Sequence, residues 1–208
     1  PLTVTAKSAE KVYDGKALTA NTCEVKGSLA KGHKISATVT GSQTQIGSSK
    51  NKASNVKIVD ANGNDVTANY NITYSGAEVT VSKYSGEVVI TAKDATKPYD
   101  GSALTASNDV TVSGLLGTDT VEAKVSGEAT VPGKDGTAKV DSYVIKNAAG
   151  EDVSGNYGNV KLTDGKLTVT KRDITVTTGS ASKAYDKTAL TTKADDYSIT
   201  SGSLVSGQ

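Results

Sequence analysis

One short segment carries a set of oxygen-bearing side chains that could bind a cation. The segment is DANGND, and its candidate ligands are Asp60, Asn62, Asn64 and Asp65. Carboxylate and amide oxygens at alternate positions are ligands that Ca²⁺ accepts. The aligned segment further along the chain, NAAGED, has Asn147 in place of Asp60 and Ala149 in place of Asn62. In addition, Gly63 stands too early in the segment for a helix–loop–helix calcium loop. The spacing therefore favours a plain hairpin turn and leaves calcium as the alternative.

Side chains that commonly supply catalysis occur singly. His33 is the only histidine and aligns with Asp119 further along the chain, and Cys23 is the only cysteine. No Ser-His-Asp or Cys-His set can be assembled within one repeat. We therefore expect a protein that is not an enzyme and has no cofactor. Cys23 has no internal disulfide partner, so we expect either an incidental thiol or one that pairs between chains.

A ten-residue motif occurs three times. It reads KVYDGKALTA at 11–20, KPYDGSALTA at 97–106 and KAYDKTALTT at 183–192, and its tyrosines lie 86 residues apart. A constant period of this size predicts tandem modules. The predicted modules are 1–84, 85–172 and a partial third, 173–208. The motif positions are Tyr13, Asp14, Gly15 and Leu18; Tyr99, Asp100, Gly101 and Leu104; and Tyr185, Asp186 and Leu190.

We interpret this motif as a fold signal. The chain has no Trp and no Phe, so the motif tyrosines are the largest side chains available to a core. The leucine five residues later is expected to join the same cluster. Asp-Gly is turn chemistry, because Asp accepts hydrogen bonds from nearby backbone and Gly adopts a positive φ. The third copy has Lys187 in place of glycine, so its turn need not match the others. Tyrosines that contact a ligand are the alternative.

The composition predicts an all-β fold. Thr and Val suit strands, Gly, Asn, Asp and Ser suit turns, and no segment shows a helical period. Each unit opens with an alternating strand: LTVTA at 2–6, VVITA at 88–92 and ITVTT at 174–178. We expect small antiparallel β modules in an elongated tandem array, each with a thin core of Val, Ile, Leu and Tyr. The alternative is a β-grasp-like α+β module with one short helix, near ALTA or DVTANY.

Two further segments recur in both complete units. A long hairpin at 55–72 parallels one at 142–160, and its Asn62-Gly63 pair is a strong turn signal. Each unit closes with GAEVTVSK or DGKLTVTK, and the next unit begins within a few residues. Joints this short, without Gly-Ser or Pro-rich linkers, predict a semi-rigid rod.

The ordered set of these segments resembles a known family. They are similar to the MBG/YDG-type repeats of large bacterial surface proteins. The segments that carry the resemblance are K-x-Tyr-Asp-Gly-x-x-Leu-Thr, a Gly-x-Leu-x-x-Gly segment, the Gly-x-Asp-Val-Thr/Ser-x-Asn-Tyr hairpin and the closing Gly-x-Leu-Thr-Val-x-Lys strand. The resemblance covers both complete units and the start of the third. It implies an extracellular, cell-wall-associated adhesin with many such modules, anchored through parts outside this sequence. It supplies no catalytic residues.

Charge and hydropathy argue against two classes of partner. The chain has 23 basic and 22 acidic residues, so it lacks the basic field of a nucleic-acid-binding protein. It also has no apolar run long enough to span a bilayer. We expect neither a nucleic-acid partner nor membrane insertion of this segment.

Two functions fit the pattern. The first is a non-catalytic stalk or spacer, a monomeric rod that projects a binding head from the cell surface. The alternative is that the modules themselves bind a host extracellular protein or glycoprotein, such as mucin, a matrix protein or immunoglobulin. The letters shared between repeats are mostly core and turn types, which favours the spacer. Because Trp is absent, stacking of sugars would depend on tyrosines such as Tyr70, Tyr74 or Tyr157.

Overall fold

The computed structural model describes residues 1–192 and 196–208, and their regular structure is almost entirely β strand. The all-β prediction is therefore confirmed. Within these residues, helical structure is limited to two three-residue 3₁₀ turns, Thr67–Asn69 and Ser154–Asn156. The first lies in the DVTANY segment, where the α+β alternative placed a helix, and the second lies at the aligned position. A single turn suffices there to redirect the chain between two strands.

The first repeat contains nine strands. Their bounds are β1 Leu2–Ala6, β2 Ala9–Val12, β3 Leu18–Thr19, β4 Cys23–Lys26, β5 Lys34–Thr40, β6 Ser42–Gln43, β7 Gly47–Val59, β8 Ile72–Ser75 and β9 Ala77–Ser82. They form three sheets with strand orders β4-β1-β8, β2-β9-β7-β5 and β3-β6. The Tyr-Asp-Gly motif is the connection between β2 and β3.

The second repeat contains nine strands in the same sequence. Their bounds are β10 Tyr84–Ala92, β11 Ala95–Pro98, β12 Leu104–Thr105, β13 Val110–Ser113, β14 Thr120–Ser126, β15 Glu128–Ala129, β16 Gly136–Lys146, β17 Tyr157–Thr163 and β18 Gly165–Thr170. The orders β13-β10-β17, β11-β18-β16-β14 and β12-β15 reproduce the first repeat strand for strand. In the third repeat, β19 Thr175–Thr178 pairs antiparallel with β20 Tyr197–Ser201, as β1 does with β4.

The sheets are mixed, which corrects the expectation of purely antiparallel modules. Leu2 of β1 lies opposite Ile72 of β8 in a parallel pair, and Ala9 of β2 lies opposite Val79 of β9 in another. Strands β11 and β18 are also parallel. A parallel pair needs a long connection between its strands. Each repeat supplies one, because the strands that close it pair with the strands that opened it.

Alternation of side chains along the strands builds the core of each repeat. In β1, Leu2, Val4 and Ala6 are buried while the two threonines between them are only half-buried. They pack with three buried residues of β7 into one cluster, namely Ala53, Val56 and Ile58. Burying a large aliphatic side chain stabilises a fold by roughly 1.5–3 kcal/mol. Half-buried Cys23 packs at the edge of this cluster, as a small apolar side chain.

The chain divides into two compact units whose limits differ from the sequence repeats. Unit 1 contains Pro1–Ile90, Val112–Glu122 and Tyr143–Lys161. Unit 2 contains Thr91–Thr111, Ala123–Ser142 and Leu162–Gln208. Unit 1 thus combines the first repeat with the hairpin end of the second. The module boundaries at 84/85 and 172/173 follow the sequence period and stay a prediction.

Candidate functional site

The three Tyr-Asp-Gly-type turns, which we call YDG turns, share one hydrogen-bond pattern. In the first, Asp14 Oδ1 accepts from the Lys16 backbone N–H at 2.9 Å and from Lys11 Nζ. In the second, Asp100 Oδ1 accepts from the Ser102 N–H at 2.9 Å and from Lys97 Nζ at 2.8 Å. The carboxylate therefore closes the turn and ties it to the preceding strand, in line with the interpretation of Asp-Gly as a turn.

The third YDG turn keeps this geometry despite its lysine. Asp186 Oδ1 accepts from the Thr188 N–H at 2.9 Å and from Lys183 Nζ at 2.8 Å. Lys187 has φ +64°, in the left-handed region where Gly15 has φ +77°. The local hydrogen bonds thus hold a non-glycine residue in a conformation that costs roughly 1–2 kcal/mol.

The tyrosine of the first YDG turn lies in a joint between the first and second repeats. Tyr13 is 3% exposed, and its backbone N–H donates to the Ser82 carbonyl at 2.8 Å. Its ring meets the Tyr157 ring edge-on, with the ring centroids 6.1 Å apart. Tyr84 also packs edge-on against the Tyr157 ring, with a centroid distance of 5.6 Å. Edge-to-face pairs contribute about 0.5–1.5 kcal/mol beyond the area they bury. We call this cluster of Tyr13, Tyr84, Asn156 and Tyr157 the joint.

A buried amide connects the joint to a loop of the first repeat. Asn156 is 3% exposed, and its Oδ1 accepts from the Ile46 backbone N–H at 3.1 Å while its Nδ2 donates to Gln45 Oε1. Burial raises the pKa of the Tyr13 hydroxyl, and a side-chain hydrogen bond with Asn156 partly offsets that rise. The second repeat therefore supplies the polar partners that the buried end of the first repeat requires.

The tyrosine that follows this asparagine has hydroxyl partners at equivalent positions in both repeats. Tyr157 Oη accepts from the Leu116 N–H at 3.2 Å and donates to Asp119 Oδ2 at 2.6 Å. In the first repeat, Tyr70 Oη accepts from the Ala30 N–H at 3.0 Å and lies 2.7 Å from His33 Nδ1. Burial, with the Asp119 charge adding to it, raises the pKa of Tyr157 above its ordinary range. His33 thus supports a structural tyrosine in the first repeat.

A related contact surrounds the second YDG turn, within unit 2. Gln208 Nε2 donates to Tyr99 Oη at 3.0 Å, and Val205 lies against Gly101. The turn that presents Gln208 matches the one that presents Asp119: the Gln208 N–H donates to the Val205 carbonyl at 3.1 Å, as the Asp119 N–H does to the Leu116 carbonyl. In both units, a turn of the following repeat thus lies beside the YDG turn of the repeat before it.

The predicted core role differs between the three motif copies. Tyr13 is buried, Tyr99 is half-buried and Tyr185 is 88% exposed. The leucines follow the same order, since Leu18 and Leu104 are half-buried whereas Leu190 is 51% exposed. Tyr13, the buried tyrosine, is the one against which the Asn-Tyr pair of the second repeat packs. The core prediction therefore does not extend to the third copy.

The candidate calcium loop uses its carboxylates to form turns. Asp60 Oδ1 accepts from the Asn62 and Asn64 N–H groups at 2.8 and 2.9 Å, and Asp65 Oδ1 accepts from the Thr67 N–H at 2.9 Å. Asn147 forms the same turn in the second repeat, accepting from the Ala149 N–H at 3.0 Å. Because a neutral amide replaces the carboxylate of Asp60, the geometry favours the hairpin turn.

The described ranges, 1–192 and 196–208, contain few other features that could form a site. Within them, no three His, Cys, Asp or Glu side chains are grouped as a metal site would need. No helix in those ranges has the length and apolar character needed to cross a membrane. The three tyrosines that could stack on sugars differ in exposure: Tyr157 is buried, Tyr70 is half-buried and Tyr74 is 49% exposed.

Acid is expected to loosen the three YDG turns. In each turn a hydrogen-bonded lysine lowers the pKa of the aspartate below its ordinary value. Lys11 acts on Asp14 and Lys97 on Asp100. Lys183 lowers the pKa of Asp186 to about 2. Since folding depresses these pKa values, the stabilisation is present above the unfolded pKa of about 3.9 and is lost as pH falls below it. Carboxyl NMR titration should give midpoints below that value. Lys97→Met should move the Asp100 midpoint upward; an unmoved midpoint would contradict the role of Lys97.

Comparison with known proteins finds no matching family model, no matching curated protein and no matching solved structure. The functional assignment therefore depends on the repeats and the joint. Sequence reasoning identified the YDG turn but not the Asn-Tyr pair that covers it. One signal for this pair was present in the sequence. The Asn-Tyr dipeptide is the same in both hairpins, as Asn69-Tyr70 and Asn156-Tyr157, although the turn residues of the hairpins differ.

Proposed function

We propose that these repeats form a stalk or spacer of a bacterial cell-surface adhesin, which holds a binding head away from the cell wall. The observation that carries the proposal is the joint, in which the YDG turn of one repeat is buried by the Asn-Tyr pair of the next. The resemblance to repeats of bacterial surface proteins supports the extracellular setting.

A spacer must resist bending between its repeats, and the joint has the chemistry for this. Relative motion is the default for linked domains unless their contact is substantial and apolar. Here Tyr13 and Tyr157 are almost fully buried, and Asn156 forms hydrogen bonds that a hinge motion would break. Nearest-neighbour contacts of this kind make the stability of a repeat array depend on each interface.

NMR relaxation of the full chain tests this restraint. The Val4 amide belongs to the first repeat and the Val153 amide to the second, and both lie in unit 1. The proposal predicts one shared rotational correlation time for these amides in the wild-type protein. In Tyr13→Ala, we expect the two values to diverge. Divergent values in the wild-type protein would contradict a restrained joint.

Host binding by the modules is the second candidate, because one surface feature could serve it. A shallow cavity of about 470 Å³ in unit 1 is lined by Lys50, Lys52, half-exposed Tyr74 and Glu78, among others. Mucin, fibronectin, fibrinogen and immunoglobulin should be passed over immobilised full chain. The spacer predicts no saturable binding. Saturable binding that Tyr74→Ala abolishes would instead support the adhesive function.

A further inference from the structure

One pair of residues in the hairpin after β7 has the chemistry of a spontaneous covalent modification. Asn62-Gly63 is the only Asn-Gly pair in the chain. The carbonyl carbon of an asparagine side chain, Cγ, is an electrophile, and the backbone nitrogen of the following residue is a nucleophile close to it along the chain. A side chain on that following residue hinders the attack, and glycine has none. The pair therefore combines a reactive amide with the least hindered nitrogen that a backbone offers.

The structure leaves this pair open to solvent. Asn62 and Gly63 are both exposed, and no heavy atom lies within 4 Å of the place where a Cβ on Gly63 would stand. The backbone N–H of Asn62 donates to Asp60 Oδ1 at 2.8 Å. The side-chain amide of Asn62, in contrast, has no hydrogen bond with any residue that the structure describes. It is therefore free to rotate toward the Gly63 nitrogen.

Other asparagines are held more firmly. Asn64 Nδ2 donates to Asp60 Oδ2 at 3.0 Å, and the residue that follows it, Asp65, carries a side chain. Asn51 and Asn156 are buried, and the side chain of each is hydrogen-bonded to backbone groups. We therefore expect the reaction to select Asn62.

One hydrogen bond restrains the nucleophile. The Gly63 N–H donates to the Asp60 carbonyl at 3.1 Å, and it must be released before the nitrogen can react. The base of the loop is closed separately, by the Asp60 N–H donating to the Asn64 carbonyl at 3.0 Å and by a bridge between Val59 and Asp65. Exposed loops open locally at little cost in free energy. The reaction thus needs only the tip of the loop to open, while β7 stays folded.

We propose that Asn62 is a deamidation site of the folded protein. The Gly63 nitrogen loses its proton to water or hydroxide and attacks Asn62 Cγ. A C–N bond forms, the Cγ–Nδ2 bond breaks, and the amide nitrogen leaves as ammonia. Water then opens the resulting succinimide ring. Opening at Cγ gives aspartate, whereas opening at the backbone carbonyl gives isoaspartate, in which the main chain runs through the side-chain carbons.

The second repeat contains the same turn without the reactive amide. The Gly150 N–H donates to the Asn147 carbonyl at 2.9 Å, as the Gly63 N–H does to the Asp60 carbonyl. Gly150 has φ +80° and Gly63 has φ +85°. Ala149 stands in the position of Asn62. The two turns therefore provide a matched pair in which the residue before the glycine can be exchanged.

The test compares the full wild-type chain with Asn62→Ala and Ala149→Asn. Each variant introduces a residue that the aligned turn already carries, so both should fold, which amide NMR spectra will check. The folded proteins are incubated in mildly alkaline buffer. Aspartate and isoaspartate are then located by peptide mass and by enzymatic methylation of isoaspartyl peptides. A guanidinium-unfolded sample of the wild-type chain is incubated in parallel.

The wild-type chain is expected to convert Asn62 to aspartate and isoaspartate while Asn64 and Asn147 stay intact. The rate should rise with pH, because the Gly63 nitrogen must lose a proton. Asn62→Ala should abolish the product, and Ala149→Asn should add a second modified site.

An intact Asn62 in the folded chain would overturn the inference, and modification of the unfolded sample alone would show that the turn protects it. Modification of Asn64 or Asn147 to the same extent would contradict the selectivity. Failure of Ala149→Asn to add a second site would contradict the role of the shared turn. The proposed spacer function does not depend on any of these results.

Discussion

Tyr13→Ala is expected to lower the free energy of unfolding of unit 1 by about 3 kcal/mol, the lower end of the range for truncating a buried aromatic. The same change at Tyr185 should alter stability by less than about 0.5 kcal/mol, as is usual for exposed positions. The two residues share a motif and a turn geometry, and they differ in exposure, 3% against 88%.

The loss at Tyr13 has a specific physical origin. Alanine would leave a cavity beside the Tyr157 ring and remove the edge-to-face contact between the two rings. Urea unfolding followed through the NMR signals of Val79 and Val81, which are buried in β9, would measure the effect on unit 1. Equal losses for Tyr13→Ala and Tyr185→Ala would show that the motif acts only within its own turn.

Asn156→Ala is expected to lower the same free energy by about 2 kcal/mol, because it leaves a buried group without its hydrogen-bond partner. The Ile46 N–H would lose its acceptor, and Gln45 would lose its donor. The matched control is Asn69→Ala, which changes the same residue in the same kind of turn at an exposed position. We expect that control to change stability by less than about 0.5 kcal/mol.

The same urea experiment measures this second pair of variants. A loss for Asn69→Ala as large as that for Asn156→Ala would mean that the asparagine stabilises its own 3₁₀ turn. In that case the contact with the first repeat would contribute little. A loss confined to Asn156→Ala would assign the effect to the contact between the repeats.

The strands and turns could be predicted from the sequence because they depend on neighbouring residues. The alternation in LTVTA predicts β1, with Leu2 and Val4 buried. Asn62-Gly63 predicts the turn that follows β7, where the structure closes a loop with the Gly63 N–H donating to the Asp60 carbonyl at 3.1 Å. Asp14-Gly15 predicts a turn, and Asp14 accepts the backbone hydrogen bond that this prediction requires.

The parallel pairs and the joint could not be predicted in the same way. β1 and β8 both alternate like any half-buried strand, and alternation does not specify the direction of a partner. The joint combines Tyr13 with Tyr157, which are far apart in the sequence and belong to different repeats. Each tyrosine fits the core of its own repeat equally well on composition alone, so only the three-dimensional arrangement identifies their contact.

A double-mutant cycle between Tyr13→Ala and Asn156→Ala tests the central claim most directly, that the YDG turn of one repeat is stabilised by the next. Residues within one contact or hydrogen-bond network show coupling free energies of roughly 0.5–3 kcal/mol. We predict that the double variant loses less stability than the sum of the single losses by an amount within that range. Losses that add to within about 0.3 kcal/mol would show that the two repeats contribute independently, and would contradict the account.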